Sequence, residues 1–248
     1  MNMGEGEKLR LGYWKIRGLA APARMMCHYA KLDYEDVTYE SIKQDDGTFS
    51  KAQWFEAPDA KPGLRAKNPF MNLPWCEYKG NVVTQSNAVM LFIGRVAGLN
   101  GSNETEINRN EQTLFQIFDL RNSVVGVAYP PKDEQKLEAH FTGTLNTHYK
   151  KLENWLKFHN TAFFACDKPL CADFHVFEML DQHEGWASTI GRESPLANYP
   201  KLTQFYNRML DLPELKSYFD SEISKWNYNN PHAQTFLTKP GGGYGPKK

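Results

Sequence analysis

The chain has 248 residues, 41% hydrophobic and 13% aromatic, which suits two unequal domains with a sizeable core and excludes a wholly disordered polypeptide. Its 29 Lys and Arg cancel its 29 Asp and Glu, so no global field draws it to nucleic acid or an anionic membrane surface. The longest apolar run, Ala88–Gly94, stops at Arg95, far short of the roughly 18 residues of a membrane span.

From Lys8 to Trp14, Leu9 and Leu11 alternate with Arg10 and Gly12, the period of a strand with one buried face. Gly18 breaks the chain, and Pro22 suits the first turn of a helix over Ala20–Leu32. In that helix Met25, Met26, Tyr29 and Leu32 share a side. Val37–Glu40 reads as a second strand. Residues 41–70, punctuated by Asp45-Asp46-Gly47, Pro58, Pro62-Gly63 and Asn68-Pro69, read as a long loop of the kind that carries function. Pro74–Tyr78 and Asn81–Thr84 flank Lys79-Gly80 as a hairpin. A helix follows from Ser86, with Val89, Phe92, Ile93 and Val96 inward and Gly98 past its end.

Gly98–Glu104 is small, polar and turn-forming, and reads as a linker. Beyond it the pattern is helical. One long helix runs to Ala128 and is stopped by Tyr129-Pro130-Pro131. Leu137, Phe141, Leu145, Leu152 and Trp155 stripe the next, and further helices fit Ala172–His183, Lys201–Met209 and Glu214–Lys225. Trp226–Lys248 has no acidic residue and ends GGGYGPKK, a composition expected to form a partly mobile tail rather than core. The expected organisation is therefore an α/β domain over 8–97, a linker over 98–104, an all-helical domain over 105–226 and a tail over 227–248.

Cys27, Cys76, Cys166 and Cys171 form no CxxC pair, and no paired histidines follow Cys171, so reduced buried thiols are expected and no metal. The amino terminus lacks an apolar segment after its charges, and residue 2 is Asn. Neither a secretory signal nor myristoylation fits, and a cytoplasmic location is expected.

Three motifs carry chemistry. Tyr13-Trp14-x-Ile16-Arg17-Gly18-Leu19 puts a phenol at the carboxyl end of a strand, where open α/β sheets place ligands. Asn72-Leu73-Pro74-Trp75 opens a strand with an X-Pro bond, and in cis form such a bond turns the Leu73 backbone outward to pair with an extended peptide. Thr84-Gln85-Ser86-Asn87 puts Ser86 at a helix N-cap, whose amides attract a carboxylate.

In this order and spacing the motifs resemble those of cytosolic glutathione S-transferases, over nearly the whole chain. GYWxIRGL and the long loop before NLP are most similar to the mu class. The resemblance implies a thioredoxin-like first domain, an all-helical second, and conjugation of reduced glutathione to small hydrophobic electrophiles in detoxification. Glutathione would enter as co-substrate, with no cofactor. By the same resemblance Tyr13 holds the glutathione sulfur, Trp14 contacts the tripeptide, the Leu73 backbone pairs with its cysteinyl unit and Pro74 is the cis-proline. Gln85 and Ser86 bind the γ-glutamyl end, Asn72 and Trp54 border the glycyl part, and Asp119 reaches the γ-glutamyl ammonium of the neighbouring subunit of a homodimer. Tyr129 faces the electrophile, and the tail beyond Trp226, unlike the family's core pattern, is able to fold over that pocket. Lys51 stands three residues before Trp54 where the pattern has arginine, and Lys61 is the expected loop cation. Where the family caps a buried aspartate with Ser or Thr, Leu170 precedes Asp173, so another group must cap that helix.

The resemblance is consistent with elementary energetics. A thiol of pKa near 8.5 is only a few per cent ionised at neutral pH, and lowering it by two units takes about 2.7 kcal/mol of preferential anion stabilisation. A hydrogen bond to a charged acceptor contributes about 1.5–3 kcal/mol, so one phenol supplies most of it. Competing readings are a non-catalytic binder of apolar ligands, which has no need of an intact thiol site, and prostaglandin isomerase or peroxidase chemistry at the same site. A thiol-disulfide or dehydroascorbate reductase would need a cysteine where Tyr13 stands, and the nearest, Cys27, is a helix away.

Overall fold

The computed structural model describes residues 8–56, 63–235 and 243–245. Strand β1 (Leu9–Trp14) leads through Gly18 into α1 (Ala21–Tyr29), with Pro22 in its first turn. Strand β2 (Tyr34–Tyr39) pairs parallel with β1, Leu9 opposite Tyr34 and Trp14 opposite Tyr39. It starts three residues before the expected Val37 because pairing with β1 recruits Tyr34–Asp36, which show no clean alternation of their own. The expected 41–70 loop contains a two-strand ribbon, β3 (Ile42–Lys43) with β4 (Phe49–Ser50), and two short helices, α2 (Ala52–Phe55) and α3 (Arg65–Lys67). Strands β5 (Trp75–Tyr78) and β6 (Asn81–Thr84) form the hairpin, and β5 runs antiparallel to β1, giving the order β2-β1-β5-β6. Helix α4 (Ser86–Ala97) follows and ends on left-handed Gly98. A Cβ at Gly12 would lie 2.0 Å from the Trp75 indole, so glycine lets that ring cover β1.

The second domain is helical. Glu104, assigned to the linker by composition, is already the first residue of α5 (Glu104–Ala128), because the Asn103 side chain accepts the Glu106 amide as its cap. Next come α6 (Glu134–Ala139), a π-helical turn over His140–Leu145 and α7 (Asn146–His159). The stripe from Leu137 to Trp155 therefore spans two helices joined by that turn. Helix α8 (Cys171–Thr189) is buried almost throughout and packs against α1 and α5. Its amino end receives the substitute cap that Leu170 cannot provide. Asn110 Oδ1 on α5 accepts the Ala172 amide at 3.0 Å, while Asp173 accepts the Phe164 and Leu170 amides at 2.9 and 2.8 Å.

Helix α9 (Pro200–Leu210) is followed by broken structure where one helix over Glu214–Lys225 was expected: 3-10 turns at Pro213–Leu215 and Glu222–Lys225 around α10 (Lys216–Phe219). The Ser224 hydroxyl bonds the Phe219 and Ser221 carbonyls, competing with the helical ladder.

A buried cluster of ion pairs on Arg17 joins the two domains. Arg17, 1% exposed in the β1–α1 turn, donates from Nε and Nη2 to Glu178 at 3.0 and 2.8 Å and from Nη2 to Asp181 at 2.8 Å, both on α8. Its guanidinium carbon lies 4.4 Å from the Tyr228 ring centroid and 3.7 Å from that of Tyr244. Burial alone would lower the Arg17 pKa; Glu178, the two phenols and Asp181 outweigh it and hold the charge. The tail expected to stay out of the core is thus anchored where described: Tyr228, Asn229 and Asn230 are buried, and Tyr244 donates to Glu178. Composition misses this because two aromatic rings are enough to seal a buried cation.

A second buried polar pair joins the π turn to α8. His183 Nδ1 lies 2.7 Å from the Met179 carbonyl and must donate to it, leaving Nε2 to accept from His140 Nε2 at 3.1 Å. Burial lowers the pKa of His140 to about 4 and that of His183 to about 3, a neighbouring histidine adding to each shift.

Two predictions follow from these pairs. Arg17→Ala leaves two buried carboxylates without a cation, and urea unfolding is expected to show a loss of about 3–5 kcal/mol. For the histidines, the unfolded chain binds protons from about pH 6.5 downward while the native pair refuses them until near pH 4 or below, so their contribution to stability falls as pH drops through that window. Asp173, raised to about 7 by burial against the pull of its amide bonds, is protonated first in the native state and works in the opposite direction. Comparing the chain with His140→Gln isolates one histidine: the slope of unfolding free energy between pH 6 and 4.5 is expected to fall by about 1.4 kcal/mol per pH unit.

Candidate active site

The site is built around the end of β1. Tyr13 is 5% exposed and packs with Ile16 and Ala20, Leu73 lying against them. The turn beyond it is held by Arg24 of α1, whose guanidinium donates to the Ile16 carbonyl at 2.6 Å and to both Asp36 oxygens at 3.0–3.1 Å. Gly18 has φ +42°, and a Cβ there would lie 2.9 Å from the Tyr13 hydroxyl. Glycine is what leaves room for that oxygen. Among the described residues the Tyr13 hydroxyl makes no hydrogen bond, so its proton is available to a ligand.

Facing it is the Leu73–Pro74 peptide, which is cis. Thr84 at the end of β6 ties this turn to the sheet: its hydroxyl donates to the Asn72 carbonyl at 2.7 Å and accepts the Asn72 amide at 3.1 Å. The Leu73 amide, expected to point free toward a peptide, donates to the Asn72 side chain at 2.8 Å. The neighbouring carboxamide is the nearest acceptor, and a peptide ligand must displace it.

Gln85 takes φ +73°, ψ +120°, a conformation that costs a non-glycine residue of order 1–3 kcal/mol and points to a functional constraint. Gln85, rather than the expected Ser86, is the N-cap of α4. Ser86 is the first helical residue, because the Gln85 carbonyl already accepts the Val89 amide. The first amides of α4 lie next to the strained residue along the chain, where a helix start leaves them without intrahelical partners.

In the 41–70 segment Trp54 is buried beside Tyr39, Leu64 and Trp75, so it anchors the segment to the sheet. Trp14 is half-buried against the same cluster. Arg65 lies 5.4 Å over the Trp54 ring, a cation that the sequence reading missed because the loop length hid its register. Lys61 lies outside the described residues. Lys51 precedes α2, and its charge reaches His232, adding to the burial that lowers that imidazole's pKa.

His232 belongs to a strap, residues 226–235, laid across the site. The Arg17 and Gly18 amides donate to the Asn227 and Tyr228 carbonyls at 2.8 and 3.1 Å. The Asn230 amide donates to the Tyr129 hydroxyl at 3.1 Å, and the Gln234 amide donates to the Ala128 carbonyl at 2.8 Å. His232 lies 5.3 Å from the Tyr129 ring and 5.7 Å from Phe49. Burial raises the Tyr129 pKa, the Asn230 amide opposes this, and Tyr13 is close enough to add to it. Tyr13 and Tyr129 lie close enough to influence each other's charge, and the strap's Asn230 is bound to Tyr129. No periodicity signalled Asn230 or His232.

Between strap and sheet lies a cavity of about 180 Å³ lined by Ile16, Tyr39, Ser41, Asn227 and Asn230 and by the Lys15–Glu40 ion pair. Its lining is largely polar, since the strap contributes asparagines and the Lys15–Glu40 pair forms part of the wall. Asp119 is not at this site. It is exposed on α5, lining a groove of about 870 Å³ with Phe115, Gln116, Lys151 and Trp155.

Residues 118–222 match the family model described as "Glutathione S-transferase, C-terminal domain". The chain is 33% identical to Glutathione S-transferase Mu 1 of Oryctolagus cuniculus over 86% of its length and 91% of the relative's. It is 32% identical to the class-mu 26 kDa isozyme 51 of Fasciola hepatica, over 89% and 93%. Among solved structures, the glutathione S-transferase Blo t 8 superposes with a TM-score of 0.75 at 24% identity, covering 91% of this chain and 98% of that one. The prostaglandin synthase D of Nilaparvata lugens superposes with a TM-score of 0.67 at 23% identity, covering 87% and 98%.

Proposed function

The chain belongs to the glutathione S-transferase family and is an enzyme of that kind. From that premise we propose that it binds reduced glutathione as co-substrate, holds its sulfur as a thiolate on Tyr13 and conjugates it to a small electrophile. The observation that carries this reading is the Tyr13 hydroxyl: uncommitted, at the carboxyl end of β1, cleared by Gly18 and opposite the cis Leu73–Pro74 turn. Tyrosine acts as a donor and need not ionise. One such bond to the sulfur anion supplies about 1.5–3 kcal/mol, most of a two-unit fall in thiol pKa.

The other roles follow the charges of the tripeptide. Leu73 offers its backbone to the cysteinyl unit after the Asn72 side chain gives way. Gln85 and Ser86 present α4's first amides and a strained backbone to the γ-glutamyl carboxylate. Trp14 contacts the tripeptide, Asn72 and Trp54 border its glycyl carboxylate, and Lys51 and Arg65 supply cations on that side. Tyr129 faces the electrophile.

Asp119 supports a homodimer. It lies on an exposed face of α5 beside exposed Phe115, and the loop before the cis turn exposes Phe70 at 81%. A second copy covers these apolar faces and receives Asp119 at the ammonium of its own glutathione. A cytoplasmic detoxifying role accords with this chemistry. The likeness to a prostaglandin synthase is one of fold, and no residue of the site favours that reading over conjugation.

Tyr13→Phe removes the donor while leaving the ring packed. Its kcat/KM at pH 7 is expected to fall about 100-fold, with the bound-thiol absorbance titrating about two pH units higher and glutathione still bound. Equal activity in this variant refutes the assignment. Asp119→Asn is expected to raise the KM for glutathione about tenfold with little change in kcat, in steady-state assays, because it touches the co-substrate and not the sulfur.

A further inference from the structure

Gly243-Tyr244-Gly245 has no part in the site described above, yet it is bound to the ion that fixes the site's turn. Both glycines lie in the left-handed region, at φ +73° and +91°, and the tyrosine between them is seated on α8. Its ring stacks on Phe177 with centroids 5.4 Å apart and planes 15° apart, and lies 5.2 Å from Phe219. Its hydroxyl donates to Glu178 and accepts from Tyr218 at 3.2 Å, while the Gly245 amide donates to Asp181 at 3.1 Å. Two neighbouring residues thus address both carboxylates that hold Arg17, and the Tyr244 ring centroid lies 3.7 Å from the guanidinium carbon.

Arg17 passes this restraint to the site through the backbone. Its amide and that of Gly18 are bonded to the Asn227 and Tyr228 carbonyls of the strap. Gly18 in turn packs on the tyrosine at the end of β1: a Cβ there would lie 2.7 Å from Tyr13 Cε1 and 2.9 Å from the hydroxyl. Any shift of this turn carries the phenol with it, and a hydrogen bond weakens steeply with distance and angle. Without the Tyr244 ring the guanidinium keeps its two carboxylates and Tyr228. Water then takes the place of one aromatic face, and the low dielectric that strengthens these ion pairs is lost.

We infer that Tyr244 is a positioning residue for the transferase reaction: seated on Arg17, it holds the β1–α1 turn where the Tyr13 hydroxyl meets the glutathione sulfur. On the transferase reading above, on which this role rests, a tyrosine outside the site has a share in forming the thiolate. The ring carries the effect rather than the hydroxyl, because Glu178 keeps Arg17 and the Gln182 carboxamide as donors when the Tyr244 oxygen is removed. Tyr244 touches no reacting atom, and the bond to sulfur stays with Tyr13.

The test titrates the thiolate absorbance of glutathione bound to the full chain and to its Tyr244→Leu, Tyr244→Phe and Gly245→Ala variants. Tyr244→Leu is expected to raise the bound thiol's pKa by about one unit, half of what the Tyr13 hydroxyl supplies. With 1-chloro-2,4-dinitrobenzene, kcat at saturating glutathione is then expected to fall roughly tenfold at pH 6 and to be unchanged at pH 9. Loss of folded protein would lower both alike. Tyr244→Phe is expected to stay within about 0.3 unit of the unaltered chain. Gly245→Ala keeps the ring but strains its seat at φ +91°, and is expected to move the thiol in the same direction by about half a unit. It decides the matter if Tyr244→Leu does not fold. A thiol unmoved in Tyr244→Leu, or in Gly245→Ala where that variant stands alone, overturns the role of Tyr244 and leaves the transferase reading standing. So does a shift in Tyr244→Phe as large as that in Tyr244→Leu. Absence of any bound thiolate in the unaltered chain overturns both.

Discussion

A single guanidinium organises this molecule. Arg17 sits four residues beyond the tyrosine at the centre of the site, and it is buried between two carboxylates of α8 and two phenol rings of the carboxyl-terminal segment. A charge so placed is tolerated only when every neighbour is in position, because desolvation alone would expel it. Its requirements therefore fix the β1–α1 turn against the helical domain and draw the strap across that turn. The backbone amides of Arg17 and Gly18 complete the attachment. Domain docking, the position of Tyr13 and closure of the pocket are consequences of satisfying one ion.

The co-substrate side is rigid before any ligand arrives. Arg24 clamps the turn after β1, Thr84 clamps the turn before β5, and Gln85 is held in a strained conformation at the head of α4. Rigidity of this kind matters because a thiolate is stabilised only by donors that do not have to be reoriented when charge appears. The exception is the Leu73 amide, which rests on a neighbouring carboxamide that a peptide ligand would have to displace. The electrophile side is built differently. The walls of the cavity under the strap come from residues 15–16 and 39–41 and from the strap itself, and its polarity is supplied by Lys15, Glu40, Ser41 and the strap asparagines.

The motifs around Tyr13, Pro74 and Gln85 were legible in the chain because each is a local solution to a local problem: a glycine where a phenol needs space, a proline opening a one-sided strand, a polar pair at a helix start. The hairpin, α1, α4 and the long α5 were legible for the same reason, since alternation, helical spacing and turn residues act over a few positions. The break after α10 was not, because a serine hydroxyl bonding back to carbonyls leaves no periodic trace. Nor was the cap on α8, where Asn110 acts sixty-odd positions from the end it satisfies. The tail was legible only as a segment able to fold over the pocket: its composition is that of a solvated segment, yet Tyr228 and Tyr244 lie on an arginine more than two hundred residues away.

The amino-acid order by itself determined a phenol at the end of the first strand, the turn that faces it and the change from mixed to helical structure, since these depend on neighbours in the chain. Only the tertiary structure decided how large and how polar the second pocket is, which helix lends Asn110 to α8, and where the last residues lie. Those outcomes depend on which groups remain unsatisfied once the domains have packed. A buried charge or an uncapped helix end recruits whatever partner space brings near it, at any separation along the sequence.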